Sequence, residues 1–340
     1  MKPFLKISLY LNSKYNIKNT ILKNNIINEN EEEKLNKKKI ITINFVGSLN
    51  KIYENIFRKK ILEGLNENFI FEINSENPDY LIYDVFNCRF LEKKHKNSIK
   101  IAIYTENQIP DFNEADYAIG FHNIIFLDRY FKKTTLIWVF EKRYLNIKNK
   151  DFISKRKQVL KGNIRKKFCA AVISNIRSSD KFRIKFIKEL NNYKKIDMGG
   201  KFLNNVGGRV KNKIKFLSSY KFSIAMENSE GQGYVSEKIL DSFMAGTIPI
   251  YYGGYMIDEY INPKSFILIK SEKDIKQKIE YIKAIDKNDT LYKSILKENI
   301  YINDNIAKNS KKEQIEFLKH IFEQPKNQAK RIDNYHFNIN

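Results

Sequence analysis

Residues Phe222–Gly254 read FSIAMENSEGQGYVSEKILDSFMAGTIPIYYGG, and this stretch decides the fold. Phe222 to Met226 is an apolar run of strand length. A polar, glycine-bearing loop follows it, Glu227 to Gly233. Val235 to Ala245 then places Ile239, Leu240, Phe243 and Met244 at helical spacing, and Gly246 stands where a helix takes its C′ glycine. Thr247 to Tyr252 reads as a second buried strand. Strand, loop, helix, glycine and strand make one βαβ unit of a parallel sheet, where ligands bind beyond the carboxyl ends of the strands. Glu227, Asn228, Tyr234, Glu237 and Lys238 all fall in that loop or in the first turn of the expected helix.

Those polar residues suggest a ligand. A helix N-terminus favours phosphate through its unpaired N–H groups, and Lys238 would add a full positive charge beside it. Glu237 would repel phosphate, so it is better suited to accept hydrogen bonds from sugar hydroxyls. A site for both a phosphate and a sugar points to a nucleotide-sugar.

Outward from this unit the same alternation continues. Strands are expected at Ile40–Val46, Phe69–Ile73, Tyr80–Val85, Ile99–Tyr104 and Tyr117–Ile119, with a helix over Lys51–Leu65. Further strands are expected at Lys167–Ile173 and Phe266–Ile269, and helices at Lys181–Leu190, Lys213–Tyr220, Glu272–Ala284 and Lys311–Phe322. The pattern gives an α/β protein with parallel sheets. Residues 1–39 form a polar N-terminal extension, 40–160 a first Rossmann-like domain, 161–325 a second, and 326–340 a tail. Thr135–Phe140 is apolar, and the Lys- and Arg-dense run Glu141–Lys166 after it marks the boundary.

At 340 residues and 42% hydrophobic, the chain can bury two cores. Cys88 and Cys169 make no metal or redox spacing and read as core residues of a reducing compartment. No uncharged stretch approaches the ~20 apolar residues of a membrane span. The opening MKPFLKISLYL has Lys6 inside its apolar part and no small-residue cleavage pattern, so the reading expects a cytoplasmic protein. The net charge of +23 favours polyanions, or else reflects a general overuse of Lys.

Glu-Asn-Ser, Tyr-Val-Ser-Glu-Lys and Ala-Gly-Thr-Ile-Pro-Ile-Tyr-Tyr-Gly, at their spacing in 227–253, resemble the signature of the α-1,3/4-fucosyltransferases of glycosyltransferase family 10. Glu106-Asn107, Pro110-Asp111-Phe112, Asp116–Phe121, Asp128-Arg129-Tyr130, Ser174-Asn175, Gly199-Gly200 with Asn204-Asn205, and Asn262–Phe266 extend the resemblance. It implies a GT-B fold, two Rossmann-like domains facing a central cleft. It also implies inverting transfer of L-fucose from GDP-β-L-fucose to a hydroxyl, O3 of N-acetylglucosamine or glucose in a surface glycan such as lipopolysaccharide.

The resemblance further implies the roles. Glu106 matches the family's general base, although the family often has Thr-Gly-Glu-Asn where this chain reads Tyr104-Thr105-Glu106-Asn107. Arg183 and Lys238 match the pair that contacts the pyrophosphate, Asn228 and Tyr234 match nucleotide contacts, and Glu237 matches a contact to fucose. Arg177, Lys181 and Lys185 lie near Arg183 and compete with it for that assignment. The role of Glu227 stays open between site and loop cap. Tyr251 and Tyr252 read as packed strand residues with tethered hydroxyls.

No Asp-x-Asp triplet occurs, and His95, His122, His320 and His336 are far apart, so no metal site and no required cofactor are expected; a divalent ion that stimulates turnover would have no evident cage. The basic amphipathic segment Lys311–Phe322 presents Ile315, Leu318, Ile321 and Phe322 on one face. That face packs on the protein or lies peripherally on the anionic inner face of a membrane. Two other functions remain at this stage. One is a GT-B transferase using another GDP-sugar, and the other is a basic polyanion-binding protein with an idle transferase motif; no nucleic-acid motif supports the second.

Overall fold

The computed structural model describes residues 38–46, 62, 64–85, 95–133, 149–162, 164–174, 181–303 and 305–332. The expected extension before residue 38, nearly all of the Lys51–Leu65 helix, Cys88, the Thr135–Phe140 run, Asn175, Arg177 and the tail beyond 332 lie outside the described residues. The chain divides into two compact units. One takes residues up to Gly120, Ile125–Phe131 and the segment from Lys312 onward, and the other takes Phe121–Ile124 and Lys132–Lys311.

The first unit is built on a six-stranded sheet. Its strands are β1 (Lys39–Val46), β2 (Phe69–Ile73), β3 (Tyr80–Asp84), β4 (Ile99–Ile103), β5 (Tyr117–Gly120) and the edge strand β6 (Tyr130–Lys132), in the order β2-β1-β3-β4-β5-β6. The first five pair in parallel. All five residues of β3, YLIYD, are buried, as expected of a central parallel strand covered on both faces.

The last part of the chain closes this unit. A long helix spans Ile306–Glu323, and from Lys312 on it belongs here. Leu318, Ile321 and Phe322 are fully buried, and the Phe322 ring lies 5.8, 5.5 and 4.9 Å from those of Phe69, Phe71 and Tyr80. The apolar stripe seen in Lys311–Phe322 is therefore protein packing. Beyond it, the backbone N–H groups of Arg331 and Ile332 donate to Asp116 Oδ1 at 2.6 and 2.7 Å, and Lys100 N donates to its Oδ2 at 2.8 Å.

The second unit carries a five-stranded, all-parallel sheet. Its strands are β7 (Lys167–Ala171), β8 (Ile196–Met198), β9 (Tyr220–Met226), β10 (Ile248–Tyr252) and β11 (Ile267–Leu268), in the order β11-β10-β9-β7-β8. Period-two alternation splits it into two cores. Phe222, Ile224, Met226, Ile248, Ile250 and Tyr252 meet helices Lys181–Asn191, Ile275–Lys287 and Asp289–Lys297 on one side. Ala225 and Tyr251 meet Lys238–Met244 and Phe152 of helix Asn149–Lys161 on the other. Helices on both faces of a parallel sheet make a doubly wound layer.

In chain order the described α-helices are α1 (Asn149–Lys161), α2 (Lys181–Asn191), α3 (Lys213–Leu217), α4 (Lys238–Met244), α5 (Ile275–Lys287), α6 (Asp289–Lys297), α7 (Ile306–Glu323) and α8 (Lys326–Ala329). The decisive βαβ unit forms as read, with β9 and β10 parallel neighbours from Ile248↔Phe222 to Tyr252↔Met226. Gly246 takes φ +68°, a left-handed value that suits a glycine C′.

The differences have local causes. Helix α4 starts at Lys238 rather than Val235: its first helical bond runs from Asp241 N to Glu237 O at 2.9 Å, and the Ser236 N–H before it goes to the Glu227 carboxylate. Helix α3 stops at Leu217, since Tyr220 already opens β9. The Glu272–Ala284 helix begins as a short 3₁₀ turn, with Ser271 and Asp274 forming a capping box, before α5 starts at Ile275. Helix α1 was not anticipated: its surface is Lys-rich, while Phe152 and Arg156 are buried and the Arg156 guanidinium donates to the Ser265 carbonyl at 2.8 Å. Among the described residues, no helix is long and apolar enough to cross a membrane.

Candidate active site

The carboxyl ends of β9 and β10 assemble a charged cluster within the second unit. β9 ends at Met226, so the next residue, Glu227, leaves the sheet at its ligand-facing edge; its N–H still donates to Tyr252 O at 2.8 Å. Its carboxylate has no exposure, yet it is fully engaged. Oε1 accepts from Ser236 N at 2.7 Å, and Oε2 accepts from Ser236 Oγ at 2.7 Å and from Lys238 Nζ at 2.7 Å. Lys238 also donates to Ser236 Oγ at 2.8 Å.

Space for that carboxylate comes from a glycine. Gly253 has φ +156°, and a Cβ there would stand 2.4 Å from Glu227 Cγ and 2.7 Å from the Tyr251 hydroxyl. Tyr251 is fully buried and its hydroxyl accepts from Gly254 N at 3.3 Å, as a packed strand tyrosine with a tethered hydroxyl should. Burial, then the nearby Glu227 charge, pushes that hydroxyl well above its ordinary pKa.

Arg183 reaches the same cluster from α2. Of the basic residues near it, Lys181 is exposed and Lys185 forms a surface pair with Glu272 at 2.5 Å, whereas Arg183 is only 2% exposed. Its Nη1 donates to Asn228 Oδ1 at 3.0 Å and to the Glu227 carbonyl at 3.5 Å. One side of the Glu227–Asn228 pair thus carries a guanidinium and the other an ammonium. Burial on its own would lower the Lys238 pKa; the charges of Glu227 and Glu237 more than offset it, so the ammonium is held above its ordinary value.

Tyr234 and Glu237 complete the set differently. Tyr234 is buried, its ring edge-on to Phe121 at 5.5 Å. Glu237 is half-buried at the N-cap of α4, and its side chain makes no capping hydrogen bond. Arg183, Asn228, Glu237 and Lys238, named from the sequence, stand with Glu227 around one strand edge. Ser236 was missed; its position between two named residues was the available signal.

Glu106 belongs to the first unit, on the loop that leaves the carboxyl end of β4, and it is exposed. The loop around it is fixed: Thr105 Oγ1 donates to the buried Asp84 at 3.3 Å, Gln108 N donates to Glu106 O at 2.9 Å, and Asp111 N donates to Tyr104 Oη at 2.8 Å. Among the described residues no group of three His, Cys, Asp or Glu side chains could bind a metal. His320 instead pairs with Asp128 at 3.0 Å, and Cys169 is buried, which raises its thiol pKa.

Two α/β units, each built on a largely parallel sheet, together with the likeness to solved α1,3-fucosyltransferases, put the fold in the GT-B class of glycosyltransferases. The chain belongs to glycosyltransferase family 10: the family's C-terminal fucosyltransferase domain matches residues 163–332, and an α-(1,3)-fucosyltransferase FucT N-terminal domain matches residues 43–139. An α-(1,3)-fucosyltransferase FucT of Helicobacter pylori is 33% identical over 230 residues, 60% of this chain and 48% of that protein. A 4-galactosyl-N-acetylglucosaminide 3-α-L-fucosyltransferase of Cricetulus griseus is 30% identical over 132 residues, 38% of this chain and 36% of that one. The chain thus spans less than half the length of these relatives. A crystal structure of an α1,3-fucosyltransferase with GDP-fucose is similar at a TM-score of 0.67 and 28% identity, covering 84% of this chain and 91% of that one. Another α1,3-fucosyltransferase structure gives 0.69 at 25% identity over 85% of this chain and 92% of that one.

Proposed function

We propose that this chain transfers L-fucose from GDP-β-L-fucose to a glycan hydroxyl with inversion, giving an α-fucoside. The acceptor position is O3 of an N-acetylglucosamine or glucose unit of a surface glycan such as lipopolysaccharide. The observation that carries this reading is the joining of Arg183 and Lys238 through Asn228 and Glu227 at the carboxyl edge of the second sheet. Negative charge develops on the departing diphosphate, and the two cations held at that edge stabilise it where it appears. Arg183 supplies a planar donor fork for phosphate oxygens, and Lys238 supplies a point charge. The likeness to a fucosyltransferase solved with GDP-fucose supports the choice of donor.

In this reading the acceptor oxygen attacks the anomeric carbon as the bond to the β-phosphate oxygen breaks, and the electron pair leaves with GDP. Glu106 takes the acceptor's proton, a role open to an exposed carboxylate on a fixed loop. Asn228 and Tyr234 serve the nucleotide, and Glu237 orients the fucose hydroxyls. With two side-chain cations for the diphosphate, the reaction runs without a required metal, and a divalent ion acts at most as a stimulant. The enzyme works in the cytoplasm. Any contact with the inner face of the membrane uses its basic surface, because the apolar face of α7 is buried.

The test is GDP release from GDP-fucose, with and without N-acetyllactosamine, with and without EDTA. Acceptor-stimulated release that Glu106→Ala abolishes is the expected result. Release indifferent to every glycan acceptor would overturn the transfer reaction, and turnover of other GDP-sugars in preference would overturn the donor.

A further inference from the structure

Glu227 is out of place on charge alone. A site that is to receive a diphosphate gains from Arg183 and Lys238, yet Glu227 and Glu237 balance those two cations one for one. Glu227 is also the member of the four with no exposure at all. A buried carboxylate is costly to keep, and an apolar or amide side chain would fill the space without opposing the ligand.

The geometry separates what is fixed from what can move. Two hydrogen bonds from Ser236 pin the carboxylate, the Glu227 N–H is tied to Tyr252 O at 2.8 Å, and only a glycine at 253 leaves room for its side chain. Lys238 lies on a flexible stem and its side chain keeps 21% exposure. Its ammonium has three N–H donors. Glu227 Oε2 at 2.7 Å and Ser236 Oγ at 2.8 Å take two of them, and one is left for a phosphate oxygen.

We propose that Glu227 is a positioning residue that competes with the departing GDP for the Lys238 ammonium and thereby sets how readily GDP leaves. The inference rests on the donor reading above. GDP carries more negative charge than the sugar-linked nucleotide, because its terminal phosphate is freed, so a purely cationic site would bind the product more tightly than the substrate. A fixed internal carboxylate offsets that bias. Lys238 leans toward the diphosphate while the charge develops and returns to Glu227 when GDP goes.

The sign of one measurement separates this from a scaffold role. If Glu227 merely props Lys238 in place, removing its charge loosens the lysine and weakens GDP. Competition requires the opposite. The experiment is calorimetric titration of GDP into the full chain and into Glu227→Gln, with kcat and KM for GDP-fucose measured alongside. The expected result is GDP bound about tenfold more tightly by Glu227→Gln, the scale of one charge-assisted contact, with a lower KM and a lower kcat. Equal or weaker GDP binding in a folded Glu227→Gln overturns the proposal. Should that variant not fold, Glu227→Asp draws the carboxylate back from Nζ with its charge intact, and it too must tighten GDP. An unaltered chain that fails to bind GDP removes the donor reading and this inference together, whereas normal GDP binding with an unmoved variant removes this inference alone.

Discussion

Asp116 and Glu227 are both carboxylates with no exposure, one in each unit. Asp116 is satisfied mainly by backbone: N–H groups of Lys100, Arg331 and Ile332 donate to it, with Lys330 Nζ further off at 3.3 Å. Glu227 is satisfied mainly by side chains, Ser236 Oγ and Lys238 Nζ, with one backbone N–H. Backbone donors from distant segments cannot be lent to a ligand without detaching those segments from the sheet they close. An ammonium on a four-carbon stem can be. The same residue type, equally buried, is a structural staple in one place and part of a working site in the other, and the partners decide which.

Four substitutions test that contrast. The largest effect is expected for Lys238→Ala, which should lower kcat/KM by about 10²–10³, the scale of losing one preorganised charge from a transition state. It should also destabilise the chain by about 3–5 kcal/mol, since Glu227 is left buried and unpaired. Adding Glu227→Gln should restore much of the stability and none of the activity, as denaturant titration beside steady-state kinetics will show. Recovery of activity in the double variant would dissolve the contrast.

Asp116→Asn comes next. It turns one acceptor oxygen toward donors as an NH₂ group, which should cost about 2–4 kcal/mol in urea unfolding. Its kcat/KM per folded molecule should stay at the unaltered value. A loss of turnover without a loss of stability would mean that Asp116 is no mere staple.

The smallest effect concerns Asp128. Burial would raise its pKa, but the His320 hydrogen bond and the Arg331 charge bring it below the ordinary value. A lowered folded-state pKa contributes stability above the unfolded pKa of about 4, and that stability is lost as the pH falls through the folded value. Asp128→Asn should therefore flatten the acid limb of stability against pH and leave neutral pH within about 1 kcal/mol, as for other exposed pairs. An unchanged acid limb would show that the pair adds nothing.

The contrast also explains what was legible in the sequence. The β9–α4–β10 unit could be read because its periodicity is local and its glycines sit at the ends. Lys238 could be named because it lies inside that local motif, whereas Arg183 was named only through the family resemblance, with Arg177, Lys181 and Lys185 as rivals on composition. The role of Glu227 could not, since its partner Ser236 lies nine residues on, across a loop whose path no periodicity gives. Asp116 was still less legible, because its donors sit 16 residues before it and 215 and 216 after it. Helix α1 was hidden by composition: its Lys-rich surface masked the few buried contacts of Phe152 and Arg156.

Those 215 residues between Asp116 and Arg331 have a consequence for synthesis. A ribosome adding about 5–20 residues per second takes roughly 10–40 s to cover that distance. Through that interval the emerging first sheet lacks both the Phe322 side chain that covers Phe69, Phe71 and Tyr80 and the main-chain donors for a carboxylate that will end up fully buried. The first sheet is therefore made before the second unit and completed after it, and a growing chain carries an exposed aromatic sheet face that chaperones can recognise until α7 arrives.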